Sequence, residues 1–184
     1  MNSLVPPPRH TITALVQDKP GVLNRVSSMF RRRGFNISSL AVGQSEEPEL
    51  SRMTFVVEGT NKVVEQMTKH LHKLVDVIKV SDISDQNIVS RELALIKVNS
   101  TIQTRSEIMQ IVSVFRANIV DVAIDSLIVE VSGDEDKINS LHELLKNFGI
   151  IEVMRTGTIA INRGLSNKPS RQTNRVDWGE ASSV

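Results

Sequence analysis

The spacing at which apolar side chains recur changes several times along the chain, and each change predicts an element. Residues 10–18 alternate between apolar and polar, as expected of a half-buried strand. A Pro20-Gly21 break follows, after which apolar residues recur at helical spacing as far as Phe30. Three arginines and then Gly34 predict the end of this helix, because basic side chains suit a last turn and glycine suits the left-handed cap.

The rest of the first half completes a six-element unit. The pattern predicts a strand at 36–42, a strand at 53–57, a helix at 63–74 and a strand at 77–83. From Arg91 the same order returns, as a strand at 93–98, a helix at 108–115, strands at 119–124 and 127–131, a helix at 138–148 and further strand at 150–161. We therefore predict an α+β fold of two ferredoxin-like βαββαβ units, over residues 9–84 and 85–164.

The two ends of the chain carry a different pattern. Residues 1–8 contain three prolines and predict a short extended lead-in. Residues 165–184 are rich in Ser, Asn, Arg and Lys, and too few apolar side chains are present to offset the entropy of ordering them. We predict a disordered tail, in which Trp178 is either a docking anchor or a side chain without a partner.

Composition narrows the classes of function. The 184 residues include 22 basic and 21 acidic side chains, so no global field attracts nucleic acid or an anionic membrane. The absence of cysteine excludes disulfides, thiolate nucleophiles and thiolate metal ligands. No apolar run is as long as a membrane span. We expect a cytoplasmic protein, or one of the plastid stroma if organelle-encoded, with no nucleic-acid or membrane partner.

The stretch from Asp18 to Leu23 is the best candidate for a binding site. It joins a strand to a helix through a tight turn, and the first N–H groups of a helix attract an anion. Gly21 has no Cβ and lets a ligand approach the backbone closely. A carboxylate could be held by the amides near Gly21, Val22 and Leu23, with Asp18 facing an ammonium group. On this evidence alone, a simple structural turn is the more common explanation.

Other polar residues make poorer candidates. His70 and His72 are two residues apart, so they do not share a helix face and make a poor metal pair. His10 and His142 are isolated in the sequence. Arg52 suits either a partner contact or a cross-strand ion pair, and Arg31 to Arg33 suit a solvated helix end better than a phosphate site. No catalytic triad order, nucleophile elbow or phosphate loop is present, so we predict neither catalytic nor metal-binding residues.

Several longer motifs resemble a known family. Asp18-x-Pro-Gly-Val-Leu23, followed by Arg33-Gly-Phe-Asn-Ile37, resembles the ACT domain, a βαββαβ module that binds amino acids between paired subunits. The strand Leu50-Ser-Arg-Met-Thr54 and the segment Leu71-His-Lys-Leu-Val-Asp-Val77 are similar to the small regulatory subunits of acetolactate synthase. The likeness covers about residues 9–164 and continues through Arg91-Glu-Leu93 and Arg155-Thr-Gly157.

This resemblance implies a role, a partner and a site. It implies a homodimer joined through its ACT domains, with a feedback effector, typically valine, held at the seam. One subunit would offer Asp18, Gly21, Val22 and Leu23, and its mate Asn36 and Ile37; the family often has Asn at the position of Asp18. The chain itself would carry no cofactor. Its partner would be the large catalytic subunit, which joins two pyruvates into acetolactate with release of CO2 and holds thiamine diphosphate, magnesium and FAD.

Two alternatives belong to other classes of protein. A free-standing amino-acid sensor or transcriptional regulator would share the ACT domain, although no basic reading helix is evident. RNA binding on a ferredoxin-like sheet would need exposed aromatic side chains, and the strands offer only Phe55. The second half has Gln103-Thr-Arg-Ser106 where the first has its Pro-Gly turn. We expect that half to supply dimer contacts or to dock the large subunit rather than to bind an amino acid.

Overall fold

The first half of the chain forms one antiparallel sheet with two helices. In the computed structural model, which describes residues 8–164, its elements are β1 (Arg9–Gln17), α1 (Val22–Arg33), β2 (Ile37–Gln44), β3 (Leu50–Glu58), α2 (Asn61–His72) and β4 (Val77–Asp82). The strand order is β2-β3-β1-β4, which is the ferredoxin-like arrangement and leaves β2 and β4 at the edges. The predicted order of elements is confirmed; β3 extends beyond both of its predicted ends, and the ends of β1, β2 and β4 differ from the predicted ones by at most two residues.

The core of this half lies between the sheet and its helices. Every second residue of β1 points to the helices, as the alternating sequence predicts, and α1 and α2 bury their apolar stripes against the same face. Phe30 stacks on Phe55 with ring centroids 5.2 Å apart. Phe55 is fully buried, so its ring is not available for stacking on an RNA base. Gly34 adopts the left-handed conformation at the end of α1, as its position after three arginines predicts.

The second half repeats this architecture and adds a strand. Its elements are β5 (Ile88–Asn99), α3 (Arg105–Val114), β6 (Asn118–Val122), β7 (Ser126–Gly133), α4 (Glu135–Lys146), β8 (Ile150–Arg155) and β9 (Ile159–Asn162). The sheet order is β6-β7-β5-β8, and β9 pairs with the first residues of β5. A separate apolar core forms between this sheet and α3 and α4. The α+β fold of two βαββαβ units is thereby confirmed.

The last strand differs from the sequence prediction. The strand segment predicted over 150–161 forms two strands that lie end to end along β5. Between them the register shifts: Ala94 pairs with Arg155, whereas Arg91 pairs with Ile159. Four residue steps on one strand therefore oppose three on the other, which is a β-bulge. Gly157 lies in this bulge with φ of +82°, a conformation that glycine adopts without steric cost. β5 is correspondingly longer than the predicted 93–98.

The added β5–β9 ribbon lies beside the first sheet on the face away from α1 and α2. Thr11 and Val56 of that face share a cavity of about 150 Å³ with Ile88, Ser90 and Arg91. Val56 is buried although it points away from the helices of its own half. No helix within residues 8–164 is long and apolar enough to cross a membrane. The predicted tail at 165–184, with Trp178, and all but Pro8 of the predicted lead-in lie outside the described residues.

Candidate functional site

The turn between β1 and α1 has the geometry of an anion-binding helix start. Gly21 is the residue that precedes α1, and its φ of +87° and ψ of −9° place it in the left-handed region. A residue with a Cβ is strained in this conformation, which explains glycine at the position. Apart from Gly21 and its two chain neighbours, no residue has a heavy atom within 4 Å of the point where a Cβ of Gly21 would stand, so the backbone is open to approach from outside.

Several N–H groups at this turn are free to bind a ligand. Among residues 8–164, the N–H groups of Gly21, Leu23 and Asn24 have no acceptor, while that of Val22 makes a 3.3 Å turn bond to the Lys19 carbonyl. The helix dipole adds partial positive charge at the same place. The side chain of Val22 is buried in the core, whereas that of Leu23 is exposed. Any contribution of Val22 to the predicted site would therefore come from its backbone and not from its side chain.

The hairpin between β2 and β3 supports Asp18 at the start of the turn. The Asp18 N–H donates to the Glu49 carbonyl at 2.7 Å. Arg52 of β3 forms an ion pair with Glu46 in the turn of this hairpin, so Arg52 has an ion-pair partner, although that partner does not lie on the neighbouring strand as expected. The pKa of Glu46 is lowered to about 2, first by a hydrogen bond from its own backbone N–H and then by Arg52 and Ser45. Asp18 itself is exposed and forms no ion pair within the described residues.

A second ion pair ties α1 to the sheet. Arg25, in the first turns of α1, donates to the carboxylate of Asp76 at 2.5 Å, and the Asp76 carbonyl accepts from the Gln17 N–H at 2.9 Å. Asp76 is buried although it is acidic, while Arg25 is half exposed. The pair fixes the start of α1 against the start of β4, next to the turn. Sequence reasoning missed this contact, for which the only signal was an acidic residue between Val75 and Val77.

Asn36 and Ile37 lie at the other end of the same sheet. Ile37 pairs with Val57, which pairs with His10 near the start of β1. The Gly21 turn instead follows the end of β1, roughly 20–25 Å away along the strand direction at the usual rise per residue. Asn36 is exposed, and Ile37 packs against the edge of the core. One chain therefore does not bring the six predicted effector residues together.

The histidines and the arginines at the end of α1 lie in surroundings that fit a structural role better than a binding role. His10 is buried with its Nδ1 3.6 Å from an oxygen of Asp82, and Arg31 to Arg33 are exposed at the end of α1. The pKa of His70 is lowered, chiefly by desolvation and then by the charges of Arg33 and Lys73. Within residues 8–164 no group of three or more His, Cys, Asp or Glu side chains is arranged to hold a metal ion.

The fold defines the class of protein as an ACT-type βαββαβ module followed by a second ferredoxin-like unit. The family model described as the AHAS small subunit-like ACT domain matches residues 12–79. The model described as the small subunit of acetolactate synthase matches residues 91–164. Together the two models cover most of the described chain.

Several known proteins are similar to this chain over nearly the whole of their own length. A probable acetolactate synthase small subunit from Archaeoglobus fulgidus is 54% identical over 156 residues, which are 85% of this chain and 98% of that protein. The acetolactate synthase small subunit of Mycolicibacterium smegmatis is 50% identical over 85% of this chain and 92% of its own. The crystal structure of the small subunit from Thermotoga maritima superposes with a TM-score of 0.79 at 42% identity, covering 85% and 98% of the two chains. The chain belongs to the family of acetolactate synthase small subunits, which are regulatory.

Proposed function

We propose that this small subunit activates the large catalytic subunit of acetolactate synthase and makes it sensitive to a branched-chain amino acid, typically valine. The large subunit would hold thiamine diphosphate, magnesium and FAD and would convert two pyruvates into acetolactate and CO2. The small subunit would contribute no catalytic group, and the complex would act in the cytoplasm, or in the plastid stroma if organelle-encoded.

The observation that carries this proposal is the separation of the two parts of the site along the sheet. β2 is an edge strand, and a two-fold axis perpendicular to the sheet would pair it antiparallel with its copy. Such pairing places the Ile37 end of the partner's β2 beside the Gln44 end of this chain's β2. Gln44 is aligned through Ser51 with Val16, close to the start of the Gly21 turn. A homodimer of this kind would complete two equivalent sites.

The chemistry of each site suits a small amino acid. Its carboxylate would accept hydrogen bonds from the free N–H groups of Gly21 and Leu23, where the helix dipole also favours a negative charge. Its ammonium group would face the exposed carboxylate of Asp18. The partner's Ile37 and the exposed Leu23 side chain would offer apolar surface to a branched side chain. The partner's Asn36 would add hydrogen-bonding groups at the rim.

The corresponding turn of the second half supports a division of labour. Around the start of α3, Thr101 and Thr104 bond to each other's N–H groups at 2.9 and 3.2 Å, so side chains occupy the place that is open at Gly21. Ile102 and Ile124 are each about nine-tenths exposed at that end of the second half. We infer that this half contributes contacts to the large subunit or to its own copy rather than to an amino acid.

The test is reconstitution with the large subunit from the same source. Acetolactate formation is measured for each subunit alone and for the complex, over a range of valine concentrations. We expect no product from the small subunit alone, higher activity in the complex, and inhibition by valine in the complex only. Product formed by small subunit that is free of the large subunit, or a complex with unaltered activity, would contradict the proposal.

A further inference from the structure

The second half contacts β2 of the first half through the bulge that contains Gly157. The Thr158 N–H donates a hydrogen bond of 2.8 Å to the Ser39 hydroxyl. A Cβ at Gly157 would lie 2.8 Å from the Leu40 carbonyl oxygen and 3.0 Å from the Ser39 hydroxyl oxygen. Only glycine allows the two backbones to approach this closely. The same residue has φ of +82°, which glycine also accommodates best.

The contact is narrow and lies next to open space. A cavity of about 270 Å³ is lined by Ser39 and Leu40 on one side and by residues 155–158 on the other. Across the cavity Arg9 of the first half forms an ion pair with Glu135 of the second. The interface between the two halves is therefore partly unfilled beside the Gly157 contact, and a movement of β2 at Ser39 and Leu40 would act directly on this contact.

The Gly157 contact joins the strand that carries Ile37, on the first half, to the sheet built on β5, on the second half. On the first half, Ser39 lies two residues beyond Ile37, one of the residues expected to complete the partner's effector site. On the second half, the bulge is fixed to the sheet: the Thr156 N–H donates to the Leu93 carbonyl, and Arg155 forms a two-pronged ion pair with the buried Glu92 at 3.0 and 3.1 Å. We therefore expect the bulge and the second sheet to move together.

We propose that the Gly157 contact couples the effector seam to the second half of the chain, with Gly157 and Ser39 as positioning residues for regulation. The proposal rests on the function proposed above and names its route inside the subunit. Binding of the effector at the start of β2 would displace or hold that strand, and the contact would pass the change to the sheet built on β5. Contiguous packed and hydrogen-bonded groups are the physical means by which such coupling travels.

The test compares valine binding with valine inhibition in the reconstituted complex of full-length subunits. Gly157→Ala places a methyl group against the Leu40 carbonyl and strains the backbone. Gly164→Ala is the matched control, because Gly164 also has positive φ, at +63°, but open space where a Cβ would stand. Ser39→Ala removes the acceptor for Thr158, and Ser39→Thr keeps a hydroxyl there. Binding is measured by calorimetry and inhibition by the rate of acetolactate formation.

We expect Gly157→Ala to bind valine within about threefold of the unaltered protein while the valine concentration for half-inhibition rises at least roughly tenfold. Ser39→Ala should shift inhibition in the same direction, and Ser39→Thr and Gly164→Ala should not. Inhibition that is unchanged in both Gly157→Ala and Ser39→Ala would overturn the coupling route, as would equal losses of binding and inhibition. Should the unaltered complex neither bind valine nor be inhibited by it, the proposed function itself fails, and that result is distinct from the others.

Discussion

At the scale of single residues, Gly21 combines a strained backbone conformation with an open approach to the helix start. Two substitutions separate these properties. Gly21→Ala introduces only the cost of a Cβ at positive φ, about 1–2 kcal/mol of stability. Gly21→Asp adds to it a negative charge beside the expected carboxylate. We expect valine binding to weaken by about tenfold or more in Gly21→Asp, because a charge-assisted set of hydrogen bonds is lost. In Gly21→Ala the loss of affinity should be clearly smaller.

Both variants are measured by valine titration in a calorimeter, and their folding is verified by thermal unfolding. Activation of the large subunit should survive in each, because the turn belongs to the proposed effector site and not to the proposed contacts with the large subunit. Equal binding by Gly21→Asp and the unaltered protein would show that the carboxylate is held elsewhere.

The Glu46–Arg52 pair predicts a pH dependence of the hairpin that supports Asp18. Because the pKa of Glu46 in the folded protein is about 2 and below its ordinary value of 4.5, its stabilising effect is complete above pH 4.5. That effect is lost as the pH falls through about 2. Arg52→Gln should raise the pKa of Glu46 towards 4.5 without reaching it, since the hydrogen bond from the backbone N–H remains.

The measurement is an NMR titration of side-chain carboxyl carbons. Glu143, whose pKa is lowered chiefly by a hydrogen bond from Lys146 in the second half, is the internal control and should not respond to Arg52→Gln. A Glu46 carboxyl that titrates near 4.5 in the unaltered protein would contradict the hairpin geometry.

At the scale of elements, α1 is held to the sheet by the pair of Arg25 and Asp76, and the two partners are not equivalent. Removing Arg25 leaves a buried carboxylate without a cation, whereas the half-exposed Arg25 can be hydrated if Asp76 is removed. We expect Arg25→Ala to lower the free energy of unfolding by about 1–3 kcal/mol, as expected for a buried charged group without its partner.

Arg32→Ala is the control, because Arg32 lies on the same helix and is exposed, with one hydrogen bond to the Ser28 carbonyl. Both variants are compared by urea denaturation. Similar small changes in the two would indicate that the Asp76 pair has little effect on stability. A weaker affinity for valine in Arg25→Ala would further show that the position of α1 matters to the turn.

The same elements show how much the sequence predicts. Burial on one face imposes a period on every residue of a strand or helix, so the order βαββαβ and its repetition were predictable from apolar spacing. The strand predicted at 53–57 extends over Leu50–Glu58. Its first residues were left out of the prediction because they carry no periodic signal. The bulge between β8 and β9 was not predicted, because the polar segment Arg155-Thr-Gly-Thr158 interrupts the strand pattern without indicating that both pieces pair with β5.

The site was predictable in the same partial way. A Pro-Gly turn before a helix identifies a candidate anion site from local sequence alone. The contact of Arg25 with Asp76 joins residues 51 positions apart, and that of Thr158 with Ser39 joins residues 119 apart. Such partners are determined by the packing of whole elements, so no local pattern indicates them. The same holds for the separation of Ile37 from Gly21, which follows from sheet register.

At the scale of the whole molecule, we propose that each effector site is shared between two subunits. Two variants that each spoil one part of the site should then complement each other. In Gly21→Asp the turn is blocked, and in Asn36→Ala the partner's contribution is lost. A dimer with one subunit of each kind contains one doubly altered site and one fully intact site, made from the Gly21 of one chain and the Asn36 of the other.

The most direct measurement is valine binding by an equimolar mixture of these two variants after subunit exchange, confirmed by mass spectrometry of the mixed dimer. Each variant alone is expected to bind weakly, whereas the mixture should recover affinity close to that of the unaltered protein, with about half of the dimers carrying one intact site. Mixed dimers that bind no better than either parent would contradict a site shared across the seam.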